Sequence, residues 1–394
     1  MFKRALFQTI YPQLNHKNAI VITGMRQVGK TTLMKQLSDS WNGKKLWFDF
    51  DNPLDTMVFE NVSFNSIFEE LRRDAKADEN ERFLVCIDEI QNFPNITKVI
   101  KYLIDHYNVK FIVTGSSNFY LRNLFPESLS GRKFLFVLYP LSFREYLHFH
   151  GYLSENELQP DFSEAFVSYS KTQIFKRRDF YQEYIEFGGF PEVALTPDYA
   201  TKKLILRNIF CSFFEKDIKV FSELKDVREL RDMILLLAAR NGNMLDVTRL
   251  ASEMGINRVK AYSYLEFLEG VFFLKLLPKY SKSPDRRVAG GKKVYFSDTG
   301  ILNMIAKVNS GQLLETTLAN QLQHYGNLSF YNKRNTAEID FILNDSVAVE
   351  VKQKAIEADL NKLASMAAAL NLAEYYVISN TPSELPKVMS PYFL

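Results

Sequence analysis

Only two cysteines, Cys86 and Cys211, occur in 394 residues, and Cys86 lies inside the apolar run Phe83-Leu84-Val85-Cys86-Ile87. Neither a disulfide framework nor a cysteine metal site is therefore expected. Long hydrophobic runs are missing too: nothing approaches the roughly twenty apolar residues that a bilayer-crossing helix needs. The basic start Met1-Phe2-Lys3-Arg4 leads into an apolar stretch that Gln8, Pro12 and Gln13 break before a signal-peptide core is reached. With cysteine so scarce, a reducing, cytoplasmic setting without membrane partners is expected. An excess of one charge is nearly absent, since 49 Lys and Arg face 46 Asp and Glu for a net +3. Attraction for a polyanion must then come from local patches. Hydrophobic residues at 46% against charged residues at 24% exclude a largely disordered chain. The length predicts two or three domains, each able to bury its own core.

The densest chemical signal is Gly24-Met25-Arg26-Gln27-Val28-Gly29-Lys30-Thr31-Thr32, directly behind the apolar run Ala19-Ile20-Val21-Ile22. A strand, a glycine-bracketed loop and a helix in that order form a phosphate-cradling P-loop. Backbone N–H groups from Gly24 through Gln27, Val28 and Gly29 to Thr32 wrap a polyphosphate, and glycine lets the chain come close. Lys30 supplies a point charge for the β- and γ-phosphates of ATP. Thr31 places a hydroxyl on Mg²⁺, and the following helix aims its positive end at the anion. A second buried run, Phe83 to Ile87, ends in Asp88-Glu89, the Walker B arrangement: Asp88 serves the Mg²⁺ shell and Glu89 orients and deprotonates the attacking water. A third, Lys110 to Thr114, runs into Gly115-Ser116-Ser117-Asn118. Ser116 is the expected γ-phosphate sensor there, with Ser117 or Asn118 as substitutes.

Short apolar runs at 20–23, 46–49, 84–87, 111–114 and 134–138 alternate with helical patterns, which predicts a parallel sheet covered by helices. The segment 60–82 carries charges on a helical period and reads as a solvated helix plus a loop. From about 142 to 220 the chain turns helical and aromatic, as a lid or linker would, with Gly188-Gly189-Phe190-Pro191 as a sharp interruption. Residues 247–254, Gly255-Ile256-Asn257 and 258–268 predict helix, turn, helix, followed by the apolar strand Val271 to Leu274. That order resembles a winged helix-turn-helix, in which the second helix can enter a DNA major groove. Arg258, Lys260, Tyr262 and Tyr264 are its expected exposed residues. The wing is expected as a hairpin tip over 279–293, where Lys279, Lys282, Arg286, Arg287, Lys292 and Lys293 face one acid, Asp285. Such a cluster neutralises phosphates without reading bases.

Near the C-terminus, Ala337 to Leu343 alternates polar and apolar residues, Asn344-Asp345-Ser346 turns, and Val347 to Lys352 alternates again, which predicts a β-hairpin. Side chains two apart share a face, so Glu350 and Lys352 point together and Asp340 reaches the same spot. Glu315, on a helix upstream, adds a further acid. Glu315, Asp340 and Glu350 are expected as ligands of a divalent ion, with Lys352 beside an attacking hydroxide. The pattern resembles the PD-(D/E)xK nuclease superfamily.

Taken together, these motifs resemble the AAA+/STAND-type ATPases that join an AAA core to a DUF4143 region, over nearly the full length. The resemblance rests on the P-loop, Asp88-Glu89, Thr114-Gly115-Ser116-Ser117, Ser128-Leu129-Ser130-Gly131-Arg132, Gly188-Gly189-Phe190-Pro191, Glu338-Ile339-Asp340-Phe341 and Val349-Glu350-Val351-Lys352. It implies an α/β fold with an AAA+ P-loop core over 1–141, a helical lid over 142–227, a winged-helix domain over 228–297 and a restriction-endonuclease-like α/β domain over 298–394. It also implies that Arg132 senses the γ-phosphate, in cis or from a neighbouring subunit, and that Gly189 and Pro191 touch the adenine or ribose. The implied function is ATP hydrolysis coupled to a grip on duplex or branched DNA in repair or replication-fork maintenance, by a homo-oligomer. Two alternatives stand beside it: a nucleotide-switched signalling ATPase acting on a protein, and an ATP-regulated metal-dependent nuclease.

Overall fold

In a computed structural model of the chain, residues 2–116, 131–159, 162, 171–214, 227–333 and 337–394 are described. Ser117, Asn118 and Ser128 to Ser130 lie outside them. The chain divides into two compact units, residues 1–139 with 270–272, and residues 140–269 with 273–394.

The first unit is built on a five-stranded parallel sheet of β1 (Ala19–Thr23), β2 (Lys45–Asp49), β3 (Leu84–Asp88), β4 (Lys110–Gly115) and β5 (Lys133–Val137). The spatial order is β2-β3-β4-β1-β5. Every residue of β1, β3 and β4 is buried, which is why these strands read as unbroken apolar runs instead of alternating ones. One aliphatic cluster joins Val21, Phe48, Val85, Ile87, Phe111 and Val113 to helix residues Ile67, Leu71, Ile100 and Leu103. Full burial of each such side chain contributes about 1.5–3 kcal/mol of transfer free energy. The charged segment after Glu60 is not simply solvated: the Phe64–Ala75 helix buries Ile67, Phe68, Leu71 and Ala75 along one stripe, at the spacing expected of an amphipathic helix. Because the strands are parallel, the ends of β1, β3 and β4 all open on one edge of the sheet, where ligands of open α/β sheets bind.

The second unit combines three segments that the sequence separates. Helices Phe143–Phe149, Lys171–Phe187, Tyr199–Ser212, Val227–Ala239, Val247–Met254 and Arg258–Gly270 lead into an antiparallel pair, β6 (Leu274–Pro278) and β7 (Lys292–Phe296). A second sheet follows, with β8 (Leu328–Lys333), β9 (Ala337–Leu343), β10 (Val347–Lys352), β11 (Glu374–Ser379) and β12 (Val388–Met389) in the order β12-β11-β10-β9-β8. β8, β9 and β10 form an antiparallel meander, and β11 joins β10 in parallel after the Glu357–Leu370 helix. A single core unites Phe143, Tyr181, Leu277, Tyr295, Leu314, Phe341 and Ile378, so expected boundaries at 227/228 and 297/298 fall inside one packed body.

Two local expectations change. The strand read from Val271 begins at Leu274, because Phe272 takes a left-handed φ of 61° that pleated strand backbone does not accept. The connection read as a wing tip contains the short helix Pro284–Ala289, which shortens the hairpin and puts Lys292 and Lys293 on β7 itself.

Candidate functional site: a phosphate cradle at the sheet edge

β1 ends at Thr23 and the chain turns at Gly24, whose φ of 149° suits glycine. A Cβ at Gly24 would stand 2.0 Å from the Leu138 carbonyl oxygen, so any other residue there would push the loop off the sheet. Gln27 and Gly29 are also left-handed, with φ of 63° and 95°, which curls the loop into the Lys30–Asp39 helix. The apolar Val28 is buried beneath the loop. Lys30 is only 5% exposed and its Nζ donates to the carbonyls of Gly24 at 3.0 Å and Met25 at 2.8 Å. A buried ammonium held by two loop carbonyls is a preset cation beside the turned loop and the start of a helix, the chemistry a polyphosphate requires.

The carboxylates arrive on β3. Thr31 Oγ1 donates to Asp88 Oδ2 at 2.6 Å, and Thr114 Oγ1 donates to Asp88 Oδ1, so Asp88 is fixed from both sides. Hydroxyl and carboxylate oxygens side by side suit Mg²⁺, which keeps several waters and takes most of its remaining ligands from phosphate. Glu89 follows with a left-handed φ of 54°, uncommon for a residue with a side chain, and its N–H donates to Thr114 Oγ1 at 3.2 Å. Ser116 is buried at the end of β4. The structure therefore brings Lys30, Thr31, Asp88, Glu89 and Ser116 to one edge.

Arg132 is not among them. It directly precedes β5, its carbonyl accepts the Ala19 N–H at 2.9 Å at the start of β1, and its Nε lies 2.5 Å from Asp105 Oδ1. Five residues of strand, about 16 Å, separate that edge from the phosphate loop, so Arg132 is not among the side chains gathered there. The Gly188 to Pro191 turn is likewise occupied elsewhere. In the second unit, the Gly189 N–H donates to Asp298 Oδ2 at 2.7 Å and its carbonyl accepts the Leu141 N–H at 2.6 Å, while Pro191 opens a short helix. A Cβ on Gly188 would meet the Asp298 carboxylate at 2.2 Å. Within the second unit, the backbone of Gly189, expected with Pro191 at the adenine or ribose, is thus clamped between Asp298 and Leu141.

Three residues that the sequence reading passed over support these sites. Arg4 donates to the Val28 carbonyl at 2.8 Å and the Tyr139 carbonyl at 2.7 Å, bracing the loop from behind. Gln91 Nε2 donates both to the Glu89 carboxylate and to Ser116 Oγ, the latter at 3.1 Å. Asp298 caps the Thr299–Ile305 helix through the Ile301 N–H at 3.0 Å as well as holding Gly189. Burial pushes the Asp298 carboxyl up to about 6 from 3.8, against the pull of its backbone N–H partners. A folded-state value above the unfolded one means that the native chain binds more protons between those values, so stability falls as pH rises through that window. Asp298→Asn is expected to flatten this slope, and Asp298→Ala to cost about 2–3 kcal/mol by orphaning N–H groups; urea titrations from pH 4 to pH 7 check both.

The remaining candidates divide by exposure. Arg258, Lys282, Arg286 and Lys292 are exposed. Arg258 lies over the Tyr262 ring, 5.4 Å from its centroid. Lys260 is 2.7 Å from Glu229, and Arg287 pairs with Asp345. Tyr264, expected on the surface, is 2% exposed. Lys293, expected to meet DNA, is 4% exposed and pairs with Glu338 at 2.7 Å and Glu315 at 3.2 Å, because neighbours on a strand face opposite ways and Lys292 has the solvent side. Burial opposes its charge, but Glu315, Asp340 and Glu338 outweigh it and hold Lys293 above the usual lysine range.

The expected metal ligands Glu315, Asp340 and Glu350 lie near one another and each has a protein partner. Glu315 is drawn to Lys293 and to the Tyr295 hydroxyl at 2.5 Å, while Asp340 accepts the Val351 N–H at 2.8 Å and Glu350 accepts from Lys352 at 2.8 Å. Among the described residues no group of three or more His, Cys, Asp or Glu is arranged to hold a metal ion. Burial first, then Glu350 and Glu315, push the Asp340 carboxyl well above the carboxylate range.

Residues 16–147 match the AAA domain family AAA_14. Sheet order, loop geometry and paired carboxylates make this portion an AAA-type core of the P-loop ATPase class. Residues 178–312 match a domain of unknown function, DUF8612, in place of the expected DUF4143 region. An uncharacterized protein, MJ1544, of Methanocaldococcus jannaschii is 27% identical over 82% of this chain and 71% of its own length. One of Haemophilus influenzae is 26% identical over 86% of this chain and 83% of its own. Among solved structures, the Walker-type ATPase PABY2304 of Pyrococcus abyssi is similar over 77% of this chain and 96% of its own, at 13% identity and a TM-score of 0.47. No helix among the described residues is long and apolar enough to cross a membrane.

Proposed function

We propose that the chain binds ATP with Mg²⁺ through residues 24–32, hydrolyses it, and uses nucleotide state to govern a hold on duplex or branched DNA. The observation that carries the reading is the meeting of Lys30, Thr31, Asp88, Glu89 and Ser116 at the carboxyl edge of one parallel sheet. Lys30 exchanges its two loop carbonyls for the β- and γ-phosphate oxygens. Thr31 and Asp88 would hold a Mg²⁺ ion, which would supply charge neutralisation to the polyphosphate. Glu89 orients the attacking water and accepts its proton, and Ser116 contacts the γ-phosphate.

The DNA half of the reading is supported by the order helix, helix, hairpin over 247–296, the winged helix-turn-helix pattern, and by exposed cations on it. Arg258 and Lys292 line one groove of about 840 Å³ between the Arg258–Gly270 helix and the hairpin, which Asp246, Glu266 and Glu269 also line, so phosphate contact falls to the exposed cations at its rim. The helix, three-strand meander, helix and strand from Ser310 to Ser379 support a nuclease-like fold for this end of the chain. Assembly as a homo-oligomer around DNA belongs to the same proposal. Four exposed cations imply a slope of log affinity against log salt of about −3 to −4, and Arg258→Ala with Lys292→Ala is expected to remove about 2 of it. Gel shifts with duplex, forked and four-way DNA check this; no binding at low salt in any nucleotide state ends the DNA reading.

A further inference from the structure

Gln91 follows the Walker-type carboxylates by two residues, and its placement is unusual. The chain leaves β3 at Asp88, takes a left-handed turn at Glu89 and enters a single 3₁₀ turn, Ile90–Asn92, which folds the side chain of residue 91 back toward that of residue 89. A left-handed residue bearing a side chain costs of order 1 kcal/mol or more and persists where its surroundings hold it. Here the Thr114 hydroxyl accepts the Glu89 N–H at 3.2 Å and the Gln91 amide donates to the Glu89 carboxylate. The other hydrogen of that amide reaches Ser116 Oγ at 3.1 Å, on a neighbouring strand.

We infer that Gln91 is a positioning residue that fixes the Glu89 carboxylate for water activation and ties it to Ser116, so that the water-activating and γ-phosphate-contacting groups act as one unit. The inference rests on the ATPase reading and deepens it. A primary amide suits the task chemically. A carboxylate is an acceptor alone, a serine hydroxyl accepts as well as donates, and the amide nitrogen carries two hydrogens in a fixed plane. The side chain brings no charge of its own, so it aligns Glu89 without neutralising it. Its Oε1 is buried with no hydrogen-bond partner among the described residues.

The test uses the full chain and four variants: Gln91→Met, which keeps length and volume but has no donors, Gln91→Glu, which replaces the donors with a like charge, Ser116→Ala, and the double variant Gln91→Met with Ser116→Ala. Gln91→Met is expected to lower kcat about 10- to 100-fold, with KM and nucleotide affinity within about 3-fold, because the phosphate cradle is untouched. Gln91→Glu is expected to fall further. The double variant is expected to be no slower than about 3-fold below the slower single variant, the non-additivity of groups that work together. A merely structural role would lower the melting temperature or raise KM and leave the two substitutions additive. Wild-type turnover retained in Gln91→Met, or multiplicative losses in the double variant, overturns the inference while leaving the ATPase reading intact. A folded wild-type chain that binds ATP without turning it over overturns both.

Discussion

Lys30→Ala is expected to weaken ATP binding about 30- to 1000-fold, the equivalent of about 2–4 kcal/mol for losing charge-assisted hydrogen bonds to two phosphates. The residue sits 95% out of solvent with its ammonium already among loop carbonyls, so no rearrangement of the fold is needed before it meets an anion. Its removal leaves the turned loop and the start of the helix but takes away the charge beside them. Arginine is no substitute, because its planar fork cannot enter a pocket shaped for a compact point charge. Equilibrium titration with a fluorescent ATP analogue measures the loss, and an unchanged affinity in a folded Lys30→Ala chain would remove the cradle from the account.

Glu89→Gln is expected to do the reverse: affinity within about 3-fold of the wild type, with kcat lowered about 10²- to 10⁴-fold, the usual contribution of a general base. The difference follows from geometry. Asp88, gripped by Thr31 and Thr114, remains in place for Mg²⁺, and Lys30 is untouched. Only the acceptor for the water proton is lost. Single-turnover hydrolysis with the enzyme in excess separates this from slow product release. A Glu89→Gln chain that hydrolyses ATP at the wild-type rate assigns water activation elsewhere.

The strands of the core were legible because burial on both faces leaves each as an unbroken apolar run, and the P-loop because its nine residues are contiguous. What stayed hidden depends on partners far along the chain. Gln91 acquires its meaning from Ser116, 25 residues on, Arg4 from Val28, 24 residues on, and Asp298 from Gly189, 109 residues before it. Two signals lie in the sequence itself. Lys292 and Lys293 are adjacent on a strand, so one of them had to face inward and find acids, and Glu315 and Glu338 are those acids. Arg132 stands immediately before a strand of a parallel sheet, which places it at the edge opposite to Gly24. The Val271 strand and the long wing failed for a different reason. An apolar run does not show where the backbone turns left-handed, nor does a basic run show a short helix within it.

Calorimetric titration of the folded full-length chain with ATP and magnesium tests the central claim most directly. The account predicts one saturable site per chain, lost in Lys30→Ala and retained in Glu89→Gln. A wild-type chain that is folded and takes up no nucleotide would contradict it.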